Sequence, residues 1–370
     1  MDILYLLLNG ELPWFKLKDN EKEMNKVVYL KQQLTNTDNH SLSPFIKDML
    51  QKIRCLAFSE EPNYNELINS VNTTEVNIVD NKVVLNSNVT GSEGWWNALI
   101  GPNKPIDTNL FSVLAFNIPG NGFDGNPNHL IHNYKDFIAR DIAELFLLGL
   151  KVLRVDQLFA VIGGSLGGGI AWEMAAINPK ITKHLIPVAS DWKSTDWIIA
   201  NCLIQEQFLL NSSQPLHDAR LHAMLCYRTP ESIKNRFQRS QNSNSNLFNI
   251  ESWLLHHGEK LQKRFQLPAY KLMNQLLKTI DITTNRVGAA ETLQSIEAEI
   301  HIIGIDSDLF FVSEENTETL KLIQPNLSNV HYHEISSIHG HDAFLIEYEQ
   351  LNTIITGIFQ PKLVHIACKV

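Results

Sequence analysis

Residues 158–177, LFAVIGGSLGGGIAWEMAAI, contain a GxSxG motif centred on Ser165. An apolar, strand-like run precedes the motif, and an alanine-rich, helix-like run follows it. A serine at such a strand-to-helix turn is typical of a nucleophile elbow, where glycines let the strand and the helix approach closely. The N-terminus of the following helix also favours negative charge that develops beside the serine. The stretch therefore predicts an α/β fold in which Ser165 is the nucleophile.

The same glycines are also compatible with a βα turn that carries an incidental serine, and with a phosphate-binding loop. A P-loop would end in Lys followed by Ser or Thr, and a dinucleotide-binding turn would show GxGxxG spacing. Residues 163–169 show neither pattern. With a strand before it and a helix after it, the motif is better interpreted as a nucleophile elbow.

Strand-like and helix-like runs alternate on both sides of this motif. They include VNIVDNKVVL, FSVLAFNI, DFIARDIAELFLLGL and HLIPVAS within residues 76–190, and EIHIIGID, ENTETLKLIQ, NVHYHEI and a closing helix around DAFLIEYEQLNTIITGIF within residues 290–370. This alternation predicts βαβ units around a mainly parallel sheet. Residues 191–289 are helical and polar, with a surface loop at RSQNSNSNLFN, and residues 1–75 are mostly helical with no assigned role. The simplest architecture is a sheet that a helical insertion interrupts and that then resumes.

Composition restricts the class of protein. The chain has 370 residues, 44% of them hydrophobic and 19% charged, which is enough to bury a large core and excludes a disordered or small disulfide-stapled protein. The formal charge of -9 argues against nucleic-acid binding, which needs clustered Lys and Arg. No apolar run is long enough to predict a membrane span, the N-terminus lacks the basic region of a signal peptide, and the four cysteines lack metal-ligand spacing. We therefore expect a soluble, cytoplasmic protein with reduced cysteines.

A nucleophile elbow predicts that an acid and a histidine follow the serine in that order. The run EIHIIGI is followed by Asp306 and Asp308, and the run NVHYHEI leads to His339 and His341 just before a helix. The imidazole would take the proton of the serine, and the carboxylate would fix the tautomer of the imidazole. From the residues alone, Asp306 competes with Asp308 for the role of the acid, and His339 competes with His341 for the role of the base.

Six stretches together resemble the homoserine O-acetyltransferases, acyltransferases of methionine biosynthesis. They are NSNVTGSEGWWNALIGPNKPIDT, VIGGSLGGGIAWEMA, DARLHAMLCYRTPESIKNRFQR, IESWLLHHGEKLQKRF, GIDSDLFF and HGHDAFL, between about residues 86 and 350. The stretches from the helical insertion separate this resemblance from one to esterases in general. The resemblance implies the α/β-hydrolase fold, a mainly parallel sheet flanked by helices, with residues 76–190 and 290–370 as its core and residues 191–289 as a helical lid.

The resemblance also assigns the catalytic residues. Ser165 matches the family's nucleophile. Asp308 matches the acid, because the family pattern S-D-x-L-F falls on it rather than on Asp306. His341 matches the base, because the family pattern G-H-D falls on residues 340–342.

Three further residues receive substrate roles from the resemblance. Arg220 would hold the carboxylate of homoserine, Tyr227 would line the pocket, and Asp342 would meet the amino group. From the residues alone, Arg220 reads as a surface charge on a helix, Tyr227 as a core aromatic residue and Asp342 as a helix N-cap.

The oxyanion hole lies where the sequence departs from the family. Members carry a strand that ends in H-A-L-T-G, and the corresponding place here is predicted at NKVVL, residues 81–85. One backbone donor would then be the N–H of Val83, and the other the N–H of Leu166, the residue after the nucleophile. The Gly-Ser-Thr-Gly stretch of many members is also replaced, by FNIPGNGFDGNP.

The resemblance implies transfer of an acetyl group from acetyl-CoA to L-homoserine through an acyl-serine intermediate. Acetyl-CoA would be a co-substrate, no metal or redox cofactor is implied, and a homodimer formed through the helical lid is expected. Two alternatives stay open. One is an esterase that uses the same three catalytic residues, and the other is a non-catalytic relative whose oxyanion turn has decayed and which only binds a ligand or a partner.

Overall fold

Among the residues that the structure describes, six parallel strands form the central sheet. The computed structural model describes residues 83–88, 96–123, 125–243, 245–286, 288–323 and 329–360. Its strands are β1 (Val83–Asn88), β2 (Ile100–Gly101), β3 (Ile106–Asp107), β4 (Ser112–Asn117), β5 (Leu158–Gly164), β6 (Thr182–Val188), β7 (Glu299–Ile305) and β8 (Val330–Ile335). The main sheet has the order β4-β1-β5-β6-β7-β8, and β2 and β3 pair separately. The segment predicted over residues 1–75 lies outside the described residues.

Helices connect the strands and cover the sheet. In chain order they are α1 (Ala139–Val152), α2 (Leu166–Ile177), α3 (Asp196–Asn211), α4 (Pro215–Tyr227), α5 (Pro230–Phe237), α6 (Asn249–Arg264), α7 (Leu267–Lys278), α8 (Ala289–Gln294), α9 (Ser313–Ile323) and α10 (Tyr348–Phe359). The helices α3 to α7 lie between β6 and β7 and form the helical insertion. Within the described part of the chain, no helix combines the length and the apolar character that crossing a bilayer requires.

The sheet separates two apolar layers because successive side chains of a strand point to opposite faces. On one face, Val161 of β5 clusters with Phe146 of α1 and Trp172 of α2. On the other face, Ile162 clusters with Ile355 of α10. A parallel strand that is buried on both faces reads as a continuous apolar run, which is the pattern of LFAVIGG. The predicted α/β fold with a mainly parallel sheet is therefore confirmed.

The closing helix predicted around DAFLIEYEQLNTIITGIF differs from the structure. It consists of a 3₁₀ helix, Gly340–Leu345, and the separate helix α10. The two are divided because the backbone N–H groups of Ile346 and Glu347 both donate to the carbonyl oxygen of Ala343, which ends the first element in a tight turn. The hydroxyl of Ser337 also donates to the carboxylate of Glu347 at 2.7 Å and holds this turn.

One edge of the sheet collects the segments that matter for chemistry. Gly164 at the end of β5 is paired with Val188 at the end of β6, and Ile305 at the end of β7 is paired with Ile335 at the end of β8. The chain segments that leave β5, β7 and β8 therefore begin side by side at the carboxyl edge, the usual ligand-binding edge of an open α/β sheet.

Candidate active site

Ser165 lies in the sharp turn between β5 and α2. Its φ of 53° and ψ of -125° are unfavourable for a residue with a side chain, and its backbone N–H donates to the carbonyl oxygen of Val188 at 2.9 Å. The turn is possible because its glycines leave room for neighbouring segments. A Cβ on Gly168 would lie 2.5 Å from the Cβ of Ser190 and 3.0 Å from the carbonyl oxygen of Gly163. The local structure is the elbow that the sequence predicts.

The three residues predicted for catalysis lie in one hydrogen-bonded chain. His341 Nε2 is 3.0 Å from Ser165 Oγ, and His341 Nδ1 is 2.7 Å from Asp308 Oδ2. The other carboxylate oxygen of Asp308 accepts hydrogen bonds from the backbone N–H groups of Phe310 (2.7 Å) and Phe311 (3.0 Å). With Nδ1 donating to the carboxylate, Nε2 is free to accept the proton of the serine.

The competing residues point elsewhere. The carboxylate of Asp306 accepts hydrogen bonds from the hydroxyl of Ser336 at 2.8 Å and from the backbone N–H of Ser337 at 3.0 Å. His339 Nδ1 is 2.8 Å from the hydroxyl of Ser232. Asp306 and His339 therefore have hydrogen-bond partners of their own and do not belong to the hydrogen-bonded series Ser165–His341–Asp308.

The surroundings of His341 favour its protonation. Burial alone lowers the pKa of the imidazole, but the charge and hydrogen bond of Asp308 and the charge of Asp342 together raise the pKa above its ordinary value. Four aromatic rings surround the imidazole with centroids within 5.6 Å, those of Tyr227, Phe310, Phe311 and Phe344. The base is thus held in an apolar cage that opens toward the serine.

The two predicted oxyanion donors lie in different places. Leu166 is the first residue of α2, so its N–H has no carbonyl partner within the helix, and it borders the cavity beside Ser165. Val83 is the first residue of β1 and pairs with Ser112, while Ser87 pairs with Gly163 at the other end of the strand. At about 3.3 Å per residue, Val83 is four residues or roughly 13 Å away from the level of Gly163. The prediction for Val83 is therefore wrong.

The physical reason is that β1 is longer toward its carboxyl end than the sequence indicated. Asn86, Ser87 and Asn88, which have low strand propensity, continue β1 between β4 and β5. The chain leaves β1 at Asn88 on the edge that carries Ser165. The residues that follow, 89–95, lie outside the described residues.

A cavity of about 360 Å³ opens between this edge of the sheet and the helical insertion. Ser165, Leu166 and His341 border it from the sheet side, and the predicted substrate residues Arg220, Tyr227 and Asp342 border it as well. The guanidinium carbon of Arg220 is 5.7 Å from the ring centroid of Tyr227, which in turn is 5.4 Å from the imidazole of His341. The structure thus brings the predicted substrate residues together around the predicted nucleophile.

Two arginines of the site were not singled out from the sequence. The Nε of Arg228 donates to the carboxylate of Asp342 at 2.9 Å. The carboxylate that lines the cavity therefore already forms an ion pair with one arginine. Arg264 of α6 also borders the cavity, and burial together with the positive charge of Arg220 lowers the pKa of its guanidinium. Arg228 directly follows Tyr227 in a quoted stretch, but nothing in the sequence pairs it with a residue 114 positions away.

Comparisons with known proteins agree with this geometry. The family model of the alpha/beta hydrolase fold matches residues 83–344. A homoserine O-acetyltransferase of Cyclobacterium marinum is 33% identical over 286 residues, covering 72% of this chain and 80% of the relative. A homoserine O-acetyltransferase of Methanococcus vannielii is 32% identical over 304 residues, and the chain spans 62% of that relative's length and 74% of its own. The crystal structure of a homoserine O-acetyltransferase from Staphylococcus aureus superposes with a TM-score of 0.63 at 20% identity, covering 78% of this chain and 91% of that one, and so shares its fold.

Proposed function

The chain belongs to the homoserine O-acetyltransferases, a family with the α/β-hydrolase fold, and on that premise we propose that it transfers an acetyl group from acetyl-CoA to L-homoserine in methionine biosynthesis. One observation carries the proposal. Ser165 is hydrogen-bonded to His341, which is hydrogen-bonded to Asp308. The cavity beside Ser165 is also lined by the guanidinium of Arg220 and the carboxylate of Asp342. A zwitterionic amino acid carries charges complementary to both groups, whereas an ordinary ester has no use for them.

The first half of the reaction acylates the enzyme. His341 Nε2 takes the proton of Ser165, and Oγ attacks the thioester carbonyl of acetyl-CoA. The backbone N–H of Leu166 stabilises the oxyanion, a contribution of roughly 3 kcal/mol per donor in comparable sites. The tetrahedral intermediate expels CoA as the thiol, which receives the proton from His341, and acetyl-Ser165 remains.

The second half transfers the acetyl group. The hydroxyl of homoserine replaces CoA, His341 takes its proton, and the oxygen attacks the acetyl carbonyl. Ser165 Oγ leaves and recovers the proton from His341, so that O-acetylhomoserine forms and the enzyme returns to its starting state. The raised pKa of His341 suits a group that must accept and return a proton in both halves. No metal or redox group is needed in these steps.

Transfer rather than hydrolysis requires that homoserine is oriented and that water is excluded. We assign orientation to Arg220, which would bind the carboxylate with its fork of donors, and to Asp342, which would bind the ammonium group. The insertion helices α3, α4, α6 and α7 form the cavity wall opposite the sheet, with Tyr227, Leu261 and Met273 among its apolar members. This wall limits access of water to the acetyl-serine.

The test measures release of CoA thiol from acetyl-CoA with and without L-homoserine. The wild-type chain should release one equivalent of thiol in a burst and then turn over only when homoserine is present. Ser165→Ala should lose both phases and retain the wild-type far-UV spectrum and melting temperature. Turnover of acetyl-CoA or acetyl esters that ignores homoserine identifies an esterase, and the absence of any acetyl-enzyme identifies a binding protein. Succinyl-CoA in parallel reports the preference for the acyl donor.

We also propose that the chain forms a homodimer in the cytoplasm, through its helical insertion. Large apolar side chains are half exposed on α3 and α4, namely Trp197, Leu203, Ile204, Leu210 and Leu225. Exposed apolar surface of this kind is typical of a protein–protein interface. Light scattering should give twice the monomer mass for the wild type and the monomer mass for Leu203→Glu. A wild-type monomer at micromolar concentration would contradict the proposal.

A further inference from the structure

A cluster of histidines lies on one face of the sheet, away from the active site. His184 is on β6, Glu299 and His301 are on β7, and His331 and His333 are on β8. The strand register pairs His184 with Glu299 and His301 with His331. Because side chains two positions apart in a strand share a face, Glu299 and His301 lie on the same face of β7. Three strands thus place imidazoles and a carboxylate side by side.

Three atoms of this cluster form a compact triangle. His184 Nδ1 is 3.3 Å from His301 Nε2, and Glu299 Oε2 is 3.4 Å from His184 Nδ1 and 3.7 Å from His301 Nε2. A tetrahedral ion with bonds of about 2.0–2.2 Å to nitrogen and oxygen separates its ligand atoms by roughly 3.3–3.6 Å. Two edges lie within this range and the third exceeds it by about 0.1 Å, so the triangle is close to one face of a tetrahedral coordination shell.

The surroundings support a metal ligand at His301. Its second ring nitrogen, Nδ1, is 3.3 Å from His333 Nε2; in the tautomer with the hydrogen on Nδ1, that nitrogen donates to His333 and the Nε2 atom of the triangle carries a lone pair. Metal-bound histidines are usually oriented by such an outer hydrogen bond. The ring of His331 stacks on that of His301 at a centroid distance of 4.9 Å and an angle of 18°. His301 is buried and therefore held in place, whereas Glu299 is 54% exposed and gives an ion access from solvent.

We propose that His184, His301 and Glu299 bind one first-row divalent cation, Zn²⁺ being the best match, with water as the fourth ligand. Two imidazoles and one carboxylate are a donor set that Zn²⁺ accepts in proteins. The site is independent of the proposed transferase reaction. His184 lies four residues before Val188, the partner of Gly164, so it is about 13 Å along the strand from the level at which the elbow begins.

The position of the site suggests a structural role. Its ligands join β6 to β7, which are neighbours in the sheet although the whole helical insertion separates them in sequence. Bringing such distant segments together costs loop-closure entropy. An ion that binds the folded chain across these strands stabilises the sheet at the place where the insertion interrupts it.

The proposal is tested by calorimetric titration of the chelator-treated full chain with Zn²⁺. We expect one Zn²⁺ per chain and a melting temperature that rises with Zn²⁺ concentration. Glu299→Gln and His184→Gln, both at partly exposed positions, should each weaken binding by about tenfold or more. Glu297→Gln and His132→Gln, both at exposed positions, are matched controls, because neither residue contributes an atom to the triangle, and they should bind within about twofold of wild type. Co²⁺ in place of Zn²⁺ should give the intense visible bands of tetrahedral coordination.

Other outcomes overturn the proposal. Absence of Zn²⁺ binding at millimolar concentration does so, as does binding that is equally tight in Glu299→Gln, His184→Gln and wild type, since that would be adventitious surface binding. A tenfold loss in either control variant rejects the assigned ligand set. Ser165→Ala should bind Zn²⁺ like wild type, so a failure of the transferase proposal leaves this result unaffected.

Discussion

Asp308 is the residue whose surroundings most directly define its role. Its two oxygens accept one hydrogen bond from His341 and two from backbone N–H groups, and its side chain has no solvent exposure. In Asp308→Asn, the amide would present a donor or a neutral acceptor to the imidazole, which would favour the tautomer that cannot take the proton of Ser165. We expect acylation to slow by a factor on the order of 10⁴. Asp306→Asn is the matched control and should stay near the wild-type rate in the same single-turnover assay. The reverse ranking would give the role of the acid to Asp306.

Arg220 should decide between transfer and hydrolysis. It borders the cavity from α4 of the helical insertion, whereas Ser165 borders it from the edge of the sheet, so Arg220 can contact the acceptor without contacting the acylated serine. Arg220→Ala should leave the burst of CoA release nearly unchanged and reduce homoserine-dependent kcat/KM by roughly 30- to 1,000-fold, which corresponds to about 2–4 kcal/mol. Arg236→Ala, which removes an arginine that stacks on Phe237 and Trp253 instead, is the control. Normal homoserine turnover in Arg220→Ala would mean that the acceptor is held elsewhere.

At the level of elements, two helical glycines should respond in opposite ways to alanine. Gly168 in α2 has no room for a Cβ, because Ser190 and the backbone of Gly163 lie within 3.0 Å of its position. Gly168→Ala should therefore lower the free energy of unfolding by about 1–3 kcal/mol and displace the elbow. A Cβ on Gly357 in α10 would have no atom within 4 Å. Gly357→Ala should therefore raise the free energy of unfolding by about 0.5–1 kcal/mol. Urea denaturation of both variants measures the contrast, and equal effects would show that the elbow tolerates a side chain.

The elements also show what the sequence could predict. The sequence predicted a strand at LFAVIGG because a strand that is buried on both faces is apolar throughout. The glycines after it predicted a tight turn. The sequence did not predict a strand at Asn86-Ser87-Asn88, because these polar residues have a low strand propensity. Pairing with β4 and β5 overrides that propensity in the structure. This error displaced the oxyanion prediction to Val83. Choosing Asp308 and His341 over their neighbours required the family pattern, because which of two nearby side chains turns inward depends on loops far apart in sequence.

At the level of the whole molecule, one buried carboxylate should make stability depend on pH. Asp191 follows β6, is buried, and has one carboxylate oxygen without a hydrogen-bond partner among the described residues. Burial raises its pKa from 3.8 to about 7, so the folded chain binds a proton that the unfolded chain releases. The free energy of unfolding should therefore fall as pH rises from about 4 to about 7, by at most about 4 kcal/mol from this group.

Asp191→Asn tests this expectation. The variant cannot ionise at this position. Its free energy of unfolding should therefore increase relative to that of the wild type as pH rises from about 4 to about 7. Asp156→Asn, at an exposed position, should follow the wild-type curve. Denaturation at pH 5 and pH 8 measures the difference, and parallel curves for Asp191→Asn and wild type would show that the carboxylate stays charged in the folded chain.

The hydrogen bond between Ser165 and His341 joins residues 176 positions apart, with the helical insertion between them. During synthesis at about 5–20 residues per second, the nucleophile leaves the ribosome roughly 9–35 s before its base. Throughout that interval the nascent chain contains Ser165 but lacks His341, the base that would take its proton. The base follows β8, the last strand among the described residues, so the site is complete only after that strand has been made, and a chain that ends before His341 cannot form the acetyl-enzyme.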